Sequence, residues 1–154
     1  MKVDKVVVNT NKPEKKPINF ITKISQYKLV SFDEAPGFLK ANPFILTGYR
    51  VHFSFWMCLY SLLRLHNESG NIITHLFASI YFLSEAIQLL YSEESLEFTI
   101  PLALYCFGCF LCFLLSTCFH TFNSHSQEKC ALLLRCDFAG IKIYSIFMKQ
   151  QKIN

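Results

Sequence analysis

Two long apolar runs, Ile72 to Tyr91 and Ile100 to Phe119, constrain this chain more than anything else in it. Each contains 20 residues, the length an α-helix needs to cross a hydrocarbon core of about 30 Å. The first carries a single charge, Glu85, and the second carries none. A helix satisfies its own backbone N–H and C=O groups, as lipid requires. The expected fold is therefore all-α: the N-terminal part of a multi-pass transmembrane helical bundle, with two full spans and an incomplete third.

The remaining residues are distributed as that fold demands. Apolar types make up 52% of the chain, yet Met1 to Lys40 is polar and lysine-rich. Ten of the fifteen Lys and Arg precede Asn71, whereas Ser92 to Thr99, between the spans, holds Glu93, Glu94 and Glu97 and no basic residue. The positive-inside rule then puts the N-terminus in the cytosol and the acidic connection on the far side. The net charge of +4 comes with no basic stripe and no legible nucleic-acid module, so a basic face beside anionic lipid is expected and nucleic acid is not. Five of the seven cysteines (Cys58, Cys106, Cys109, Cys112, Cys118) lie in apolar surroundings, unlike a secreted disulfide framework. Met1 to Lys16 has no apolar core of the signal-peptide kind, so the first span is expected to act as its own insertion signal.

Three regions follow. Residues 1–30 read as a flexible cytosolic tail, with Pro13 and Pro17 around a Glu-Lys-Lys run. Residues 31–70 read as a juxtamembrane segment containing the turn dipeptides Pro36-Gly37 and Asn42-Pro43. Within it, Val51 to Leu65 is expected to form an interfacial helix, too short to cross and carrying Trp56 and Tyr60 for the headgroup level. His66 to Asn71 breaks the chain, with Asn and Ser available to cap the next helix. The sequon Asn67-Glu68-Ser69 abuts the membrane on the expected cytosolic side and is set aside. Residues 71–148 form the membrane region, with the partial third helix at about 131–148 holding Arg135, Asp137 and Lys142.

Few residues suggest chemistry. Ser116 and His120 are four apart and share a helix face at the cytosolic end of the second span. Asp137 opens the third segment, which the short loop returns close to His120. A neutral His beside a carboxylate could be part of a zinc site, with Asp137 on a metal-bound water; a hydrogen-bonded interfacial His is the plainer reading. Cys106, Cys109 and Cys112 read C-x-x-C-x-x-C, but the step between neighbours is about 300° of helix rotation, and they are expected to pack. His125 is expected in the wet loop, and His75 in a structural hydrogen bond. Glu85, a carboxylate within a span, implies a cavity or a partner helix.

Four ordered motifs carry a resemblance. They are Asn42-Pro43-Phe44-Ile45 with Gly48-Tyr49-Arg50; His66-Asn67-Glu68-Ser69-Gly70-Asn71-Ile72-Ile73-Thr74-His75; the Ser-x-x-x-His of Ser116 to His120; and Asp137-Phe138-Ala139-Gly140-Ile141. Together they resemble the progestin and adipoQ receptor family, which includes the adiponectin receptors and is related to haemolysin III, over about Phe32 to Ile141. Phe32 to Lys40 is similar to the Golgi-resident Raf-trapping branch.

The resemblance implies seven transmembrane helices, a cytosolic N-terminus and an intramembrane zinc near the cytosolic face. It implies that His120 ligates zinc, that Asp137 meets the metal-bound water, and that Ser116 accompanies them. The implied chemistry is amide hydrolysis of ceramide-like lipids, in which zinc acidifies water and polarises the carbonyl. The family takes two further ligands from a His-x-x-x-His motif in its seventh helix, and no histidine follows His125 here. A shortened form that does not hold zinc stably is therefore expected. The leading expectation is an integral membrane receptor of this type. The alternatives are a zinc-dependent lipid amidohydrolase when complete, or a non-catalytic, membrane-anchored interaction protein. Expected partners are membrane lipid, a lipid or protein-hormone ligand, and a second copy or a full-length relative; plasma membrane and Golgi are both open.

Overall fold

A computed structural model describes residues 28–151, with side chains described through Ile146; the expected tail falls, for 1–27, outside the described residues. Val30 pairs antiparallel with Tyr49 through two backbone hydrogen bonds (2.9 and 3.0 Å), an isolated bridge. A single 3-10 turn, Gly37–Leu39, and four α-helices follow: α1 (Phe55–Ser61), α2 (Ser69–Leu90), α3 (Leu96–Phe122) and α4 (Gln127–Gln151). The fold is all-helical, as expected. The helix expected at Val51 to Leu65 is the shorter α1, because His52 takes a positive φ of 54° and Ser54 caps the helix by accepting the Met57 N–H at 3.3 Å.

Both spans are helices, with ends displaced from the apolar runs. At α2 the N-cap is Glu68 without a side-chain cap bond, and Ser69 Oγ instead accepts the His66 N–H at 2.9 Å, so neither Asn nor Ser caps as expected. Helix α3 starts at Leu96, inside the expected connection, because extended Ser95 lets its carbonyl accept the Phe98 and Thr99 N–H groups. The third helix is longer than 131–148, beginning at Gln127 where Ser126 Oγ accepts the Lys129 N–H at 3.2 Å. Arg135, Asp137 and Lys142 do not interrupt it, since charge opposes lipid insertion, not helicity. Among the described residues two helices, α2 and α3, are long and apolar enough to cross a membrane.

Helices α2 and α4 each pack on α3. Phe82 stacks on Phe113 (centroids 5.8 Å, 5° between planes), joining α2 to α3. Gly140 lets α4 approach α3: a Cβ there would lie 3.0 Å from Cys112 Cα. Cys106 and Cys109 are buried, in keeping with packing.

The side-chain distribution is the reverse of a water-soluble bundle. Ile73, Leu76, Phe77, Ile80, Ile87, Leu90, Leu104 and Phe107 point outward, while Ser79, Thr99, Ser116, Thr117 and Thr121 are buried. Thr117 and Thr121 donate to carbonyls four residues back at 2.8 Å, so their hydroxyls need no water. Only 17% and 28% of the most apolar windows of α2 and α3 are buried, too little for core helices of a soluble protein. These are faces for lipid or for further helices.

Candidate functional site at the polar end of the bundle

The start of α2, the end of α3 and the juxtamembrane segment converge on one buried polar network. Its centre is Arg50, 1% exposed. Its Nη1 donates to Ser61 Oγ (2.9 Å) and the Thr121 carbonyl (3.0 Å); its Nη2 donates to the His120 carbonyl (2.6 Å) and Asn123 Oδ1 (3.2 Å). One guanidinium thus closes the C-terminal turn of α3, where carbonyls lack helical partners, and ties it to α1. Burial pulls the Arg50 pKa below its ordinary value, against the opposing pull of Cys58 and Glu68.

Glu68, at the mouth of α2, is the anionic counterpart. Its Oε1 accepts from Asn67 and Asn123 (both 3.1 Å); its Oε2 accepts from Asn71 (2.9 Å) and His120 Nδ1 (2.8 Å). Burial alone would raise this carboxyl; the hydrogen bonds from His120, Asn71 and Asn123 outweigh it and hold the pKa below the usual value. Because the carboxylate can only accept, His120 Nδ1 carries the proton, which in the neutral ring leaves Nε2 as a free base. A carboxylate behind one imidazole nitrogen is the arrangement that orients metal-ligating histidines.

Ser116, one turn earlier on α3, meets His75 of α2 (Oγ to Nδ1, 2.8 Å), and the His75 and His120 rings lie edge to face at 5.3 Å. Asp137 of α4 is within electrostatic reach of His75 and Cys112, and no hydrogen bond ties it to His120 or Ser116 among the described residues. Ser116 and His120 are thus held by His75 of α2 and by Glu68 at its N-cap, respectively. His125 lies away from it, its Nδ1 on the Phe53 carbonyl at 2.8 Å.

Above the network a cavity of about 250 Å³ is roofed by Phe38, Leu39 and Ile45 and floored by Glu68, His120 and Asn123. Gly48, at φ 87°, permits this roof: its carbonyl accepts the Asn67 N–H at 2.9 Å, and a Cβ would stand 3.2 Å from that nitrogen. Tyr49, 1% exposed, fixes the roof by donating to the Ile45 carbonyl at 2.9 Å.

As a zinc centre the donor set is deficient. Among the described residues no group of three or more His, Cys, Asp or Glu is placed to hold a metal ion, and a catalytic zinc takes three protein ligands. His120 offers one nitrogen. Sequence reasoning missed Arg50, Glu68 and Asn123. Their signal was weak: polar residues in turns next to apolar spans, paired across 52 to 73 positions.

The sequence profile described as haemolysin-III related matches residues 63–148, more than half of the chain. Progestin and adipoQ receptor family member 3 of Homo sapiens is 34% identical over 122 residues, which cover 75% of this chain and 39% of that one. Heptahelical transmembrane protein 1 of Arabidopsis thaliana is 32% identical over 125 residues, covering 74% and 37%. The adiponectin receptor protein of Drosophila melanogaster is 32% identical over 131 residues, covering 80% and 29%. The chain spans less than two fifths of the length of each of these relatives.

Proposed function

Because the chain belongs to the progestin and adipoQ receptor family of haemolysin-III related membrane proteins, we propose that it is an integral membrane receptor module whose polar end faces the cytosol and contributes part of a ligand-binding and zinc-binding site. The observation that carries this reading is the Glu68–His120 pair, which presents Nε2 of His120 as a base while fixing its ring from behind. Ser116, hydrogen-bonded to His75 one turn before His120, supports the same reading, and Asp137 is the residue that the resemblance adds to it. His120 is one ligand; the others come from helices outside this sequence, in a second chain or a longer form.

Zinc-dependent amide hydrolysis of ceramide-like lipids is the activity that the resemblance implies for a complete bundle. The described residues provide too few ligands for it, so it is not assigned to this chain alone. The cytosolic orientation rests on the ten Lys and Arg before Asn71.

Zinc analysis by mass spectrometry of the purified chain tests the reading, alone and co-expressed with the remaining helices of a relative. The chain alone is expected to hold far less than one zinc. The pair is expected to hold one, lost in His120→Ala. A full zinc on the isolated chain would refute the incomplete site, and a zinc-free pair would refute the site altogether.

A further inference from the structure

A second cavity, of about 180 Å³, lies on the other side of the α2 N-terminus, between the turn at residues 62–66 and the first turns of α2. Its wall is mixed. Leu62, Leu63, Leu65 and Ile73 are exposed apolar side chains, the first three in the turn after α1. Arg64 places a cation on the same wall. His66 completes it, with its Nδ1 accepting the Glu68 N–H at 3.1 Å. In the neutral ring that fixes the proton on Nε2, and this buried N–H has no hydrogen-bond partner among the described residues. A buried donor left unpaired is costly, and an anionic oxygen relieves the cost. The uncapped N-terminus of α2 adds its positive dipole end. The nearest carboxylate, Glu68, is filled by Asn67, Asn71, Asn123 and His120 and lines the other cavity.

The position selects the ligand. Helix α2 enters the apolar layer from Ser69, so the cavity sits where lipid headgroups lie, with exposed leucines continuing toward the acyl region. We propose that this cavity binds one anionic phospholipid of the adjoining leaflet, its phosphate on Arg64 and His66 Nε2–H and its chains against Leu63, Leu65 and Ile73. The site is separate from the His120 region. It anchors the turn between α1 and α2 to the leaflet and makes that turn sensitive to lipid charge.

Native mass spectrometry of the full chain in non-ionic detergent tests it, with parallel titrations of phosphatidylglycerol, phosphatidylcholine and inorganic phosphate. One phosphatidylglycerol per chain, bound about tenfold more tightly than phosphatidylcholine, is the expected result. Inorganic phosphate, lacking chains, is expected to bind far more weakly. Arg64→Gln should erase the preference and Arg64→Lys should retain most of it. Leu65→Ser alters a side chain 86% exposed and leaves the fold unaffected; it should weaken phosphatidylglycerol about threefold. Equal binding of the two lipids, phosphate binding as tightly as lipid, or a preference that survives Arg64→Gln overturns the proposal. If Arg64→Gln does not fold, an unchanged affinity in Leu65→Ser overturns it as well.

Discussion

The two ends of the α2–α3 pair are built on opposite principles. At the polar end, Arg50 and Glu68 engage four partners each, every one a directional hydrogen bond. At the other end a cavity of about 330 Å³ is lined, among the described residues, by Leu83, Ala86, Ile87, Leu90, Ile100, Ala103, Leu104 and Phe107. Hydrogen bonds specify one geometry, whereas aliphatic contact tolerates many, and lipid tails or a neighbouring helix can replace it at little cost. The polar end is therefore where this chain defines its own structure, and the apolar end is where it is open to its surroundings.

The sharpest way to break that contrast is to remove the cation. Arg50→Met leaves Ser61 Oγ, two carbonyls and Asn123 Oδ1 without their donor, and should cost about 4 kcal/mol. Thermal unfolding in detergent reads this as a large fall in Tm; a fall worth under about 1 kcal/mol would mean the network is ornamental to the fold. Glu68→Gln is nearly isosteric but turns either amide orientation against two donors, Asn67 and Asn123 or Asn71 and His120. A loss of about 2 kcal/mol is expected by the same measurement.

Acid should act at the same end, more gently. Burial, and then the nearby Arg50 charge, push the His66 pKa down from 6.5 to about 4, against a smaller upward pull from Glu68. The unfolded chain takes up a proton near 6.5 that the folded chain refuses, so this contribution is complete above about 6.5 and declines as pH falls toward about 4. Discounted for solvent screening it amounts to about 1 kcal/mol. A pH series of Tm values should show the decline in the native chain and a shallower one in His66→Gln; identical slopes would assign the effect elsewhere. The smallest change is expected at the apolar end. Ile87, 47% exposed, should lose under about 1 kcal/mol on replacement by Ala, against about 2–5 in a dry protein core. A core-sized loss would show that this end, too, is closely packed.

What the sequence made legible follows the same division. The two spans were readable because hydropathy over 20 residues is a collective property, insensitive to any one side chain. Their ends were not, because Ser95 and Glu68 set them through backbone geometry outside the apolar runs. Helix α4 reaches further than the apolar stretch because Arg135, Asp137 and Lys142 interrupt apolarity but not helicity, and it is not among the two helices apolar enough to cross. The spacing of Ser116 and His120 placed them on one face of a helix, and the prospect of a structural hydrogen bond for His75 was met by Ser116. The partner of His120 was not: Glu68 is 52 residues away, and no local pattern links a turn carboxylate to a distant imidazole.

The reach of Arg50 also sets an order of events during synthesis. Its acceptors at residues 120, 121 and 123 lie 70 to 73 residues downstream, at the C-terminal end of the second apolar helix. When Arg50 leaves the ribosome, nothing yet exists to receive it, and its charge must stay in water. It can be buried in this site only after α3 has formed and its C-terminal turn lies beside α1. The local contacts of Val30 to Val51 can form at once, but the Arg50 contacts to α3 close only when that helix is complete.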